Sequence, residues 1–278
     1  MTRLDRRALF TSGAAAALLA ATGVSLDAAP RPGGRLRLAV PRDGSLEQVA
    51  RGAIFDGLAE IGPDGVLRPE LAVNWQGSAD ARVWTFELRG DVAFHDGQAL
   101  RAEDAVASVR AWAVPGVTRI EATGPLSLRI ELAGGNPDLP YHLAAPGRIV
   151  APGGAVDMPL ERAVGTGAYR VAQAQAGRSF RATRVADHYR QGRAGWAETV
   201  EVVVIPDANV RAEALRDGFV DVAALPAPEG LLERGEFRYH PSVEDMALAA
   251  HRGVGIPRVI GARAPLDDGR IAERWWVG

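Results

Sequence analysis

Apolar and polar residues alternate over Val83-Trp84-Thr85-Phe86-Glu87-Leu88-Arg89, a period of two that places Trp84, Phe86 and Leu88 on one face of a strand. Leu126 to Leu132 repeats that alternation and predicts a second, half-exposed strand. Val200 to Ile205 is nearly all apolar, which predicts a strand covered on both faces. Arg35 to Val40 reads as an opening strand, stopped by Pro41 and an Asp43-Gly44 turn. Helical spacing takes over at Ala105, Val106 and Val109, where Glu103 and Asp104 sit near the positive end of the helix dipole. Asp207 can cap a second helix running to about Asp217, with Gly218 at its stop. Between Asn136 and Pro159 the chain is dense in Pro and Gly and reads as a long irregular connection. Strand, helix and strand in that order predict a parallel α/β sheet.

The first thirty residues follow a different rule. Arg3, Arg6 and Arg7 precede an apolar run from Ala14 to Ala21, and Ala28 and Ala29 supply small residues after it. That is the layout of an export signal over residues 1–29, with the paired arginines of the twin-arginine route at Arg6-Arg7. Gly13 to Val24 falls short of the ~20 apolar residues of a spanning helix, so cleavage and a periplasmic location are expected rather than membrane anchoring. The absence of Cys excludes both disulfides and lipid attachment through a cysteine.

At 278 residues and 47% hydrophobic content, the chain can bury a full core in one or two domains. A formal charge of −2 and the lack of any arginine-rich run argue against a nucleic-acid surface. Candidate chemistry is sparse. His95, His142, His188, His240 and His251 show no i, i+4 pairing of a metal-binding helix, and there is no Gly-x-Ser-x-Gly elbow or phosphate loop. Gly165-Thr166-Gly167 lacks the third glycine of a dinucleotide site, and His95-Asp96-Gly97 reads as a turn between strand and helix. No catalytic activity, cofactor or metal is expected.

The order of motifs from Leu71 to Trp112 resembles the family 5 solute-binding proteins, the peptide, dipeptide and nickel receptors of ABC importers. Leu71-Ala72-Val73-Asn74-Trp75, the Val83 to Arg89 strand, Val92-Ala93-Phe94-His95-Asp96-Gly97 and the Ala102 to Arg110 helix occur in that family's order. Ile54-Phe55-Asp56-Gly57-Leu58 with Gly62-Pro63-Asp64-Gly65 looks like its early helix and Pro-Asp-Gly turn. Gly165-Thr166-Gly167-Ala168-Tyr169 looks like its Gly-Thr-Gly-Pro-Tyr segment, with Ala168 where Pro is usual. Val202 to Asp207, Arg211 to Leu215, Gly218 and Val220-Asp221-Val222-Ala223 look like its strand, helix and Gly-x-Val-Asp strand. Arg101 stands where the family tends to place a Thr cap.

The resemblance implies a type II periplasmic-binding-protein-like α/β fold: a mixed-sheet lobe from residues 30–44 and 160–262, a smaller inserted α+β lobe at 45–159, and a tail or vestige of a third lobe at 263–278. Gly165 and Gly167 would lie at the crossing between lobes, or in a tight turn before the Tyr169 strand, their freedom of backbone angle serving either. Pro265 to Ile271 resembles the start of a large closing lobe, which is expected to be absent. Residues 256–278 are alternatively a short return to the first lobe, with Trp275 and Trp276 docking on its core.

A periplasmic receptor for a peptide or similar small solute, working with an ABC permease through an open or incomplete site, is the implied function. The rival is a non-transport protein that docks another periplasmic component. If solute binds, Arg42 and Asp43 after the first strand, Tyr169 after the crossing and Arg148 in the long connection are the candidate ligand-binding residues; the alternatives are a solvated turn for Arg42 and Asp43 and inward packing for Tyr169.

Overall fold

The computed structural model of the chain describes residues 30–226, 237–240, 247–257 and 270–277. Among the described residues, those from Arg31 onward belong to the second of two units of the chain. The export signal expected over 1–29 lies outside the described residues, as does most of Pro265 to Ile271.

Two hydrophobic cores organise the second unit. The first is built on a seven-stranded mixed sheet of β1 (Arg35–Val40), β8 (Tyr169–Gln175), β9 (Ser179–Arg184), β10 (Thr199–Val204), β11 (Val222–Leu225), β12 (Phe237–His240) and β13 (Ala247–His251). Its order is β12-β13-β11-β1-β10-β9-β8. Strand β1 runs parallel to β10 and β11, and the flanking strands are antiparallel. The parallel expectation therefore holds only at the centre of the sheet. Helix α1 (Ser45–Ile54) lays Leu46, Val49, Ala50, Ala53 and Ile54 into this core. It was expected within the inserted lobe, but its apolar stripe faces the large sheet, so it belongs to the first core.

The second core is that of the inserted portion. It is built on a four-stranded antiparallel sheet ordered β4-β5-β7-β6, from β4 (Ala72–Gly77), β5 (Val83–Leu88), β6 (Val117–Gly124) and β7 (Ser127–Leu132), which the two-stranded hairpin β2 (Ala59–Ile61) and β3 (Leu67–Pro69) precedes in the chain. Helix α2 (Ala102–Ala111) packs on it through Ala105, Val106 and Val109. Arg101 offers no side-chain acceptor, and its own N–H donates to the Asp104 carboxylate at 3.1 Å, which holds the helix start from the other side. The long connection contains the short helix α3 (Leu139–Leu143) and a single 3₁₀ turn at Pro152–Gly154.

Helix α4 (Ala208–Arg216) begins where Asp207 accepts from the N–H groups of Asn209 and Val210 and is followed by Gly218 at φ 74°. It covers part of the sheet's second face with Leu215. Ala39, Ala223, Leu225 and Ala249 are buried with it. Val200 and Val202 are buried, whereas Val203 is 37% exposed, so β10 is covered on one face along most of its length rather than on both.

The closing segment is a short helix α5 (Ile271–Arg274) and a strand β15 (Trp276–Val277), which pairs with β14 (Val254–Gly255). Ile271, Ala272 and Trp275 enter the first core, and Trp276 is also buried.

Candidate functional site

The junction of the two cores is where the chain concentrates its polar chemistry. Gly165-Thr166-Gly167 crosses it pressed against the end of α1. A Cβ on Gly165 would stand 2.2 Å from the Ile54 carbonyl oxygen, and one on Gly167 would stand 2.5 Å from the Ile54 carbonyl carbon. Neither glycine has positive φ. The crossing thus needs glycine for close backbone approach, not for unusual torsion angles, and Gly167 N–H donates to Ile54 O at 2.7 Å.

His95 clasps this crossing from the inserted side. Its Nε2–H donates to Gly167 O at 2.9 Å, its Nδ1 accepts from Gly165 N–H at 3.5 Å, and its backbone N–H donates to Gly165 O at 2.9 Å. Burial holds the ring below the ordinary histidine range. The His95-Asp96-Gly97 turn expected from the sequence is therefore also the fastening between the two cores.

Beneath the crossing lies a buried ionic cluster. Asp56, Glu60 and Glu70 come from the end of α1 and the β2–β3 hairpin region, His188 and Arg190 from the loop after β9, and Arg270, Glu273 and Arg274 from the closing segment. Thr166 Oγ donates to Asp56 Oδ2 at 2.8 Å. Glu70 Oε2 accepts from Gly57 N–H at 2.8 Å and from Arg270 at 3.1 Å, and its Oε1 takes a second Arg270 contact, a forked pair. Arg190 reaches Glu60 at 2.9 Å, Glu273 at 3.2 Å and Glu70 at 3.4 Å, and Arg274 reaches Glu60 at 2.6 Å.

Burial opposes ionisation of Asp56, but His188, Arg190 and Arg270 prevail and hold it well below the usual carboxylate range. Glu70 goes the other way: burial, with Asp56 and Glu60 adding, pushes it up to about 7. For His188 burial opposes the charged form, and the neighbouring Asp56 carboxylate outweighs it and raises the ring above its ordinary value.

Above the crossing opens a cleft of 490 Å³, within the range of small-molecule sites. Thr166, His95, His188 and Tyr189 line its base, and the ring nitrogens of both histidines are already engaged. Its rim carries Arg170 and Arg184 from β8 and β9, together with Asp91 and Asp187. All four side chains are exposed, and the register Tyr169↔Arg184 and Arg170↔Thr183 places Arg170 and Arg184 on opposite faces of the β8–β9 pair. No group of three or more His, Cys, Asp or Glu among the described residues is arranged to hold a metal ion.

Residues 66–238 match the model of the bacterial extracellular solute-binding proteins, family 5, middle region. The chain belongs to this family. A nickel-binding periplasmic protein of Escherichia coli K12 is 26% identical over 208 residues, 69% of this chain and 39% of that protein. The periplasmic oligopeptide-binding protein OppA of the same organism is 35% identical over 125 residues, 39% of this chain and 22% of its own length. Among solved structures, the binding protein AgaA of A. tumefaciens R10 with agropinic acid superposes with a TM-score of 0.68 at 26% identity, covering 75% of this chain and 48% of that one. DppA of Helicobacter pylori with the peptide STSA superposes at 0.66 and 22% identity, covering 77% and 51%. The chain thus spans about half the length of the solved structures it matches, and a smaller share of these two relatives.

The residues singled out from the sequence of this family 5 protein are not brought together. Arg42 is exposed, and Asp43 accepts from the Ser45 N–H and hydroxyl as part of the turn into α1. Arg148 lies over the Trp112 ring at 5.9 Å. Tyr169 is wholly buried and donates to Ala197 O at 3.0 Å, so it packs inward and does not reach the cleft. The cleft begins one residue later, at Arg170. The ionic cluster was not found because its members are scattered from Asp56 to Arg274. A signal was nonetheless present in Asp56 beside Gly57, Glu70 before the Leu71 motif, and His188-Tyr189-Arg190, all charged or polar residues next to apolar ones.

Proposed function

We propose that this protein is a periplasmic receptor of an ABC importer for a peptide or similar zwitterionic solute, exported through a twin-arginine signal and binding at an open site. The observation that carries the reading is the family membership across residues 66–238. The rim of the 490 Å³ cleft supports the solute class. Arg170 can take a carboxylate while Asp91 and Asp187 take an ammonium group, and no apolar solute would satisfy those charges. The exposed rim makes affinity modest, because each contact is shared with water.

The test is isothermal calorimetry on the full chain with di- to tetrapeptides and with nickel plus L-histidine. Saturable peptide binding is expected, weakened several-fold to about tenfold in Arg170→Ala and in Asp187→Asn, the effect of losing one charge-assisted contact at a wet site. Binding of nickel–histidine alone would overturn the solute class. Silence toward every solute, together with a stable complex recovered from periplasm, would overturn transport in favour of a docking protein.

A further inference from the structure

The large sheet carries a second recess on the face turned away from α1. It is a groove of 300 Å³ whose walls include Gln173, Arg181, Glu201, Val203 and Phe219. The strand registers show how it lies. Gln173 pairs with Arg181, Arg181 with Glu201 and Glu201 with Arg37, so these four side chains form one row across β8, β9, β10 and β1.

That row is the immediate neighbour of the cleft. Arg170 and Thr183, both of which line the cleft, pair with each other across β8 and β9, and Thr183 stands two residues along β9 from Arg181. The residue between them, Ala182, is wholly buried in the first core, which sends Thr183 and Arg181 together to the opposite face. The cleft and the groove therefore adjoin on one surface of the sheet.

Polar and apolar character divide along this surface. Arg37 forks onto Asp221 at 2.7 and 3.0 Å, and Arg181 reaches Glu201 at 3.3 Å, so the row is held in place by its own pairs. Gln173 brings both a donor and an acceptor, as a peptide group requires. At the far end the chemistry changes. Phe219 is 70% exposed, the most exposed large apolar side chain among the described residues, and Val203 in the same groove is 37% exposed. Neighbouring apolar side chains left in water mark a contact surface. The N–H of Asp221 donates to Arg37 O at 2.9 Å, which sets Phe219, two residues earlier, beside the β1 end of the row.

We propose that the groove is a second subsite for an extended peptide, which keeps one terminus in the cleft and lays an apolar side chain of its other end against Phe219 and Val203. The subsite rests on the peptide reading of the cleft and adds to it a length and a side-chain preference. Three inter-strand steps of about 4.8 Å lead from β8 to β1, and a two-residue step of about 6.8 Å separates the Arg170 row from the Gln173 row. The two ends thus lie roughly 16 Å apart, about five residues of extended chain, and a further residue in the cleft makes about six. A single amino acid or dipeptide is too short to bridge them.

Isothermal calorimetry on the full chain with trialanine, hexaalanine and a hexapeptide of four alanines with leucine at both ends reads length and side chain separately. The leucine-ended peptide is expected to bind wild type about tenfold more tightly than hexaalanine, the effect of partly burying one leucine side chain. In Phe219→Ser the two hexapeptides should bind alike, while the affinity for trialanine, which fits the cleft alone, stays unchanged. Phe219 belongs to none of the buried cores, so the substitution leaves their packing intact. Equal affinity of the two hexapeptides for wild type, or a leucine preference that survives Phe219→Ser, would overturn the second subsite and leave the peptide reading standing. Silence toward all three peptides would overturn both.

Discussion

Replacing Thr166 by Val removes one hydrogen bond and almost no volume. Thr166 is 1% exposed, and its hydroxyl donates at 2.8 Å to the wholly buried Asp56 carboxylate. That carboxylate has no other hydrogen-bond donor among the described residues. Its Oδ1 is unpartnered, the Arg270 guanidinium lies 3.6 Å away, and the nearby His188 Nε2–H points to the Thr166 carbonyl. A hydrogen bond to a charged group is worth about 1.5–3 kcal/mol, and its loss strands a buried anion. At about 2–4 °C per kcal/mol for a domain of this size, Thr166→Val should lower Tm by roughly 3–12 °C.

Thr166→Ser, which keeps the hydroxyl, serves as the control and should lose markedly less. The pH dependence adds a sharper criterion. Asp56 is held below its unfolded value, so its contribution is present above the ordinary aspartate range and is lost as pH falls through its folded titration. The gap between wild type and Thr166→Val should therefore be full at neutrality and close in strong acid. Thermal unfolding followed by circular dichroism from pH 7 downward reads both quantities. A Tm change below about 1 °C at neutral pH, or a gap that widens in acid, would refute the assignment of Thr166 as the donor that sustains this charge.

Gly167→Ala should destabilise by about 1–3 kcal/mol or more, since its Cβ would meet Ile54 and Ala53 backbone atoms at 2.5–2.7 Å, whereas Gly134→Ala, with nothing within 4 Å, should be nearly neutral; urea unfolding of the pair checks this. Trp275→Ala removes a wholly buried indole from the first core and should cost about 3–5 kcal/mol, read from the same urea curves.

Much of the framework was legible because its signals are local. The Arg35–Val40 strand, the Trp84, Phe86, Leu88 face and the Asp207 cap each sit within one element, and hydrophobic period or capping chemistry is enough to place them. The exposed Val203 was misread because an apolar run does not say whether a second layer will cover it. The two crossing glycines were read for torsion when proximity was the cause, and proximity to Ile54 is a property of packing. For the site, sequence reasoning looked where strands end and named Arg42 and Asp43, one of them consumed by the start of α1. Tyr169 turned inward because it alternates with Arg170 along β8, which sends one residue to the core and its neighbour to the cleft. The ionic cluster lay beyond reach altogether, since its charges come from three segments far apart in the chain.

The partnering of β1 sets a timetable for the whole chain. It is the first strand made, yet both of its neighbours, β10 and β11, arrive only after the inserted portion and its long connection have been completed. Closing so large a loop is entropically costly and slows folding, so β1 stays apolar and unpaired until β10 and β11 have been made. The smaller sheet has no such delay, being assembled from strands close in sequence. Its contacts are therefore expected to form ahead of those of the larger layer, and the His95 clasp is where the two meet.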